Sequence, residues 1–99
     1  MLTSDNNSIL KIEDVFASKG RIKILHLLAN LGEMNISEIV KKTNLNHLNV
    51  KNHLKKLIEL NLIQEKEFGR IKIYRFKIEN KNAKSLKNLI EFWEHKPLD

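Results

Sequence analysis

Residues 47–60 constrain this chain more than any other stretch. Val50, Leu54 and Leu57 recur at helical spacing and form one narrow apolar seam. Leu48, Asn49, Lys51, Asn52, Lys55, Lys56 and Glu59 fall on the opposite side of the same wheel. Asn46 stands where an N-cap is wanted, and Asn61 where a left-handed C-terminal cap is wanted. A helix of this kind lays its seam on a core and holds a lysine- and amide-rich face outside, with one leucine stranded among the polar groups.

The neighbouring segments build a frame around it. Ile9, Leu10, Ile12, Val15 and Phe16 predict a first helix over about residues 8–18. Gly20 breaks the pattern. A second helix is expected from Arg21 to Asn30, apolar on most sides (Ile22, Ile24, Leu25, Leu27, Leu28) and ended by Gly32. Met34–Ile36 is long enough for one ladder pair only. Ser37 is the expected N-cap of a third helix over 38–43, followed by a tight turn at Asn44-Leu45.

After residue 60 the period changes from helical to alternating. Leu62–Phe68 and Ile71–Ile78 predict two strands joined at Gly69-Arg70, a β-hairpin with a basic tip. Leu86, Leu89, Ile90 and Trp93 then define a last helix over about 82–96, stopped by Pro97. The predicted fold is mainly α with a small β-hairpin, in the order α-α-(short β)-α-α-β-β-α. No repeat or linker divides the chain, so residues 1–99 are expected to form a single domain.

Charge is concentrated where the frame turns basic. Residues 46–78 hold eight cations (Lys51, Lys55, Lys56, Lys66, Arg70, Lys72, Arg75, Lys77) against Glu59, Glu65 and Glu67, which accounts for +5 of the total +6. A local positive field suits a polyanion, because neutralised phosphates release condensed counterions. With no cysteine, disulfides, thiolate metal sites and cysteine nucleophiles are excluded. No phosphate loop, nucleophile triad or carboxylate pair of catalytic spacing is present, so no enzyme and no cofactor is expected. Glu91 and His95 are one turn apart, but two ligands do not make a metal site. His26 is expected in the core, and His53 at a helix–helix contact with a backbone partner. No apolar run reaches bilayer length and Met1–Ser8 lacks a leader pattern, so a cytoplasmic protein, nucleoid-associated if prokaryotic, is expected.

Two helices joined by a short turn, the second basic, describe a helix-turn-helix. Asn bonds adenine bidentately, Lys donates to guanine, and an exposed leucine suits a thymine methyl. The segments Arg21-Ile-Lys-Ile-Leu, Asn35-Ile-Ser-Glu-Ile-Val, Val50-Lys-Asn-His-Leu-Lys-Lys-Leu, Asn61-Leu-Ile and Gly69-Arg-Ile-Lys-Ile-Tyr resemble the winged helix-turn-helix of ArsR/MarR-like transcriptional regulators over about residues 10–78. Asn61 stands where that family usually has Gly, and the family's metal-binding cysteines are missing. The resemblance implies a homodimer on double-stranded DNA. His47, Leu48, Asn49, Lys51 and Asn52 take the base-reading positions; Lys55 and, in the wing, Lys66, Arg70 and Lys72 take the backbone or minor-groove positions. Ile9, Ile12 and Phe16 with Leu86, Leu89, Ile90 and Trp93 are the expected dimer interface, since paired half-sites are read by symmetric dimers. Two rivals are a sequence-tolerant architectural DNA-binding protein and a winged helix used for protein contacts; no effector is assigned.

Overall fold

A computed structural model describes residues 12–94. Ile9, the start of the first predicted helix, His95 and Pro97 lie outside the described residues. Five helices and three strands follow in order: α1 Ile12–Phe16, α2 Lys19–Leu31, β1 Met34–Asn35, α3 Ile36–Thr43, α4 His47–Glu59, β2 Ile63–Phe68, β3 Ile71–Phe76 and α5 Lys81–Glu94. The mainly helical winged helix-turn-helix is thus the observed architecture.

Local chemistry explains most of the boundaries. Ser18 caps α2 by accepting from the Arg21 amide at 3.3 Å. The cap of α3 is Asn35, not Ser37. Its Oδ1 accepts from the Glu38 amide at 2.9 Å while Glu38 accepts from the Asn35 amide at 2.9 Å, a reciprocal capping box. Ile36 therefore belongs to the helix and not to the strand. Asn46 caps α4 through the Asn49 amide at 2.8 Å. Asn44 and Asn61 both sit at left-handed φ, 61° and 65°, which an asparagine tolerates better than other side chains with a Cβ.

Gly20 does not interrupt a helix; α2 runs through it. The reason lies across the fold. A Cβ on Gly20 would stand 2.5 Å from His53 Nε2, so the missing side chain lets α4 approach α2. The His53 ring fills the space a Gly20 side chain would need, and no hydrogen bond from it to the backbone is seen among the described residues.

The core is one cluster centred on α2, with Ile24, Leu25 and Leu28 sealed against Ile39, Val50, Leu54 and Leu57. Thr43, its one buried polar residue among those described, donates its hydroxyl to the Ile39 carbonyl at 2.7 Å. The sheet order is β1-β3-β2, all antiparallel. β1 adds two residue pairs, Met34 with Tyr74 and Asn35 with Ile73, one more than the sequence suggested. Among the described residues no helix is long and apolar enough to cross a membrane.

Candidate nucleic-acid interface

The seam of α4 is closed: Val50, Leu54 and Leu57 are 0–2% exposed. The outward face is open. His47, Leu48, Asn49, Lys51, Asn52 and Lys55 are all exposed, and Leu48 keeps 65% of its surface in water. The helix is anchored by its cap, its seam and the His53–Gly20 contact, so its outer side chains start from a fixed axis.

The two-residue turn at Gly69 (φ 61°) and Arg70 sets the register of the wing. Phe68 pairs with Ile71, Glu67 with Lys72, Lys66 with Ile73 and Glu65 with Tyr74. Cross-strand partners share a sheet face, so the predicted wing residues divide. Lys72 lies on the face turned to α4. Lys66 lies on the other face, where its ammonium is 3.7 Å from the Glu33 carboxylate. Arg70 is exposed at the tip, flanked by Phe68 and Ile71, which are 58% and 55% exposed.

Between α4 and the wing runs a groove of about 400 Å³. One wall carries Leu48, Lys51, Asn52, Lys55 and Ile58; the other carries Glu65, Lys72 and Tyr74. Glu65 and Tyr74 escaped sequence reasoning, although the two-residue turn implies their pairing. Burial first, then the neighbouring Glu65 carboxylate, push the Tyr74 phenol up to about 12. His53 is held below its ordinary value by burial first and by the Arg21 guanidinium second. Arg21 in turn donates through Nη1 to the Asp14 carbonyl, tying α2 to α1.

On the far side of the domain α5 divides its apolar stripe. Leu86 and Ile90 pack on the core. Leu89, Phe92 and Trp93 face out, with 48%, 77% and 78% exposed, beside Phe16 and Ile12. His26 is not a core residue: its side chain is 42% exposed and meets Glu94 of α5 at 3.4 Å.

Residues 18–65, from the α2 cap through the whole of α4 into the wing, match the model of the bacterial regulatory proteins of the arsR family. An uncharacterized protein of Methanocaldococcus jannaschii is 38% identical over 79 residues, covering 77% of this chain and 85% of its own. The chain belongs to the ArsR family. It carries the DNA-binding domain of a transcriptional regulator, a family and fold that are not those of enzymes. The same fold is seen in HlyU from Vibrio cholerae, with a TM-score of 0.74 at 17% identity over 95% of this chain and 98% of that one. It is seen again in a homodimeric winged helix-turn-helix DNA-binding domain from Mycobacterium bovis, described as a possible ArsR-family regulator. There the TM-score is 0.70 at 22% identity, over 99% of this chain and 96% of that one. In this ArsR-family chain α3 and α4 are the helix-turn-helix and β2–β3 the wing.

Proposed function

We propose that this chain works in the cytoplasm as a homodimer that recognises a specific double-stranded DNA site and so regulates transcription. The observation that carries the reading is Leu48: a leucine 65% exposed on the first turn of α4, in a row with Asn49, Lys51 and Asn52. Water gains nothing from it, whereas a major groove offers it a thymine methyl beside partners for the amides and ammonium groups. In this reading His47, Leu48, Asn49, Lys51 and Asn52 meet base edges. Lys55, one turn further on, and Arg70 at the wing tip meet phosphate or minor groove. Lys66, paired with Glu33 on the far side of the wing, and Lys72, paired with Glu65 in the groove, reach phosphate only on leaving those carboxylates.

The exposed Ile12, Phe16, Leu89, Phe92 and Trp93 supply a surface for a second copy. Support also comes from the homodimeric Mycobacterium bovis domain of the same fold. A twofold dimer calls for an inverted repeat, with half-site centres about 10–11 bp apart.

Selection from a random DNA pool, followed by competition against random duplex, tests the reading. Asn52→Ala is expected to cost about 1–3 kcal/mol on the selected site and little on random DNA, because a bidentate base contact carries that much discrimination. Lys55→Ala is expected to weaken both alike, since phosphate contacts hold no sequence information. If no sequence is enriched, or if Asn49→Ala and Asn52→Ala both leave the specific-to-random ratio unchanged, α4 does not read bases.

A further inference from the structure

The groove between α4 and the wing holds three lysines, Lys51, Lys55 and Lys72, and one acid, Glu65. A carboxylate is a costly neighbour for an incoming phosphate chain, so its presence needs a reason. We propose that Glu65 is a brake on DNA affinity: from the wing wall of the groove its carboxylate keeps the Lys72 ammonium to itself and away from phosphate. The proposal rests on the reading of this groove as the seat of DNA.

The geometry is specific to these residues. Glu65 is opposite Tyr74 and Lys72 opposite Glu67 in the β2–β3 ladder, so Glu65, Lys72 and Tyr74 share the face turned to α4. Lys72 Nζ is 3.9 Å from Glu65 Oε2, with the two side chains 51% and 33% exposed. Glu67, exposed next to the tip, is the other acid on that face. Tyr74 is 6% exposed, and its phenol, which lines the same groove wall as the Glu65 carboxylate, keeps its proton to about pH 12. Lys51 and Lys55, on the α4 wall, have no ion-pair partner among the described residues and are free for phosphate. Lys72 alone of the three lysines must leave a carboxylate first.

Each lysine–phosphate contact contributes a salt slope of about −0.9 through released counterions, which at 0.1 M salt corresponds to about eightfold in affinity. Releasing Lys72 is therefore expected to gain up to that factor for each wing. The gain is blind to sequence, so the brake loosens the hold on all DNA and leaves discrimination to the first turns of α4.

The test is a salt titration of the full chain on its selected site and on a random duplex of equal length. It compares the wild type, Glu65→Gln, Lys72→Ala, the double variant and Tyr74→Phe, each checked for folding by thermal unfolding. Glu65→Gln is expected to tighten both duplexes by up to about eightfold per wing at 0.1 M salt and to steepen the slope by about 0.9 per wing. Lys72→Ala alone should weaken both duplexes, because it leaves the Glu65 carboxylate uncompensated in the groove, and in its background Glu65→Gln should give a smaller gain without the steeper slope of a released lysine. Tyr74→Phe, which removes the phenol beside Glu65 and keeps the ring, should give a smaller gain of the same sign. Unchanged or weaker binding by Glu65→Gln overturns the brake, as does a gain with a slope change equally large without Lys72. A wild type that binds neither duplex even at low salt overturns the underlying reading instead, and the two failures are therefore distinct.

Discussion

Replacing Gly20 with alanine opposes two effects whose sizes are known. Gly20 is the second residue of α2, where alanine is the better helix former by up to about 1 kcal/mol. The new Cβ, however, would stand 2.5, 2.9 and 3.3 Å from Nε2, Cδ2 and Cε1 of His53. An imidazole turns on only two torsions, and this one is half-buried with Arg21 beside it. Overpacking of this kind costs about 1–3 kcal/mol. In the wild-type background Gly20→Ala is thus expected to lower stability by about 1 kcal/mol net. In a His53→Ala background the obstacle is gone, and the same substitution should raise stability by up to about 1 kcal/mol. Urea or thermal unfolding at one fixed protomer concentration reads all four corners of the cycle, since a dimer's stability shifts with concentration. For a domain of this size each kcal/mol moves the midpoint by about 4–8 °C. Equal stabilisation in both backgrounds would show that the ring swings aside freely, and that Gly20 is not what lets α4 lie against α2.

His53 also makes a pH prediction. Because its folded value is depressed from 6.5, the unfolded chain takes up a proton that the folded chain refuses. Stability should therefore fall as pH drops below about 6.5 and level off once His53 protonates in the folded state; His53→Gln should flatten that part of the curve relative to wild type. Asn35→Ala removes the capping box of α3 and should cost about 1 kcal/mol in chemical unfolding, with loss of the Glu38 bond included. Leu89→Ala with Trp93→Ala strips exposed apolar surface while sparing Leu86 and Ile90 on the core. Sedimentation should show a weakened dimer with an intact fold, and an unchanged oligomer would place the interface elsewhere.

Much of this fold is legible in the chain because the deciding interactions are local. The seam Val50–Leu54–Leu57 follows from helical spacing, and the turn at Asn44 and the caps at Asn46 and Asn61 from backbone groups a few residues away. The turn at Gly69-Arg70 forces a hairpin with a fixed register. Even the misplaced cap of α3 is a local matter, two polar residues competing for one position, won by Asn35 because Glu38 completes the box.

Packing decided the rest. Gly20 reads as a helix breaker until α4 is laid against it, because only the distant His53 ring explains why the helix tolerates a residue with no side chain. Leu86 and Leu89 look alike in an apolar stripe, yet the packing of α5 on the core half-buries one and exposes the other. Lys66 and Lys72 are equivalent in a charge count, but the strand pleat sends them to opposite faces, one to Glu33 and the other to Glu65 in the groove. Periodicity and capping depend on neighbours within about a turn, so the sequence by itself determined the elements, their order and the outward face of α4. Which cation meets which carboxylate depends on how separate elements cross, and that was settled only when the wing closed beside α4.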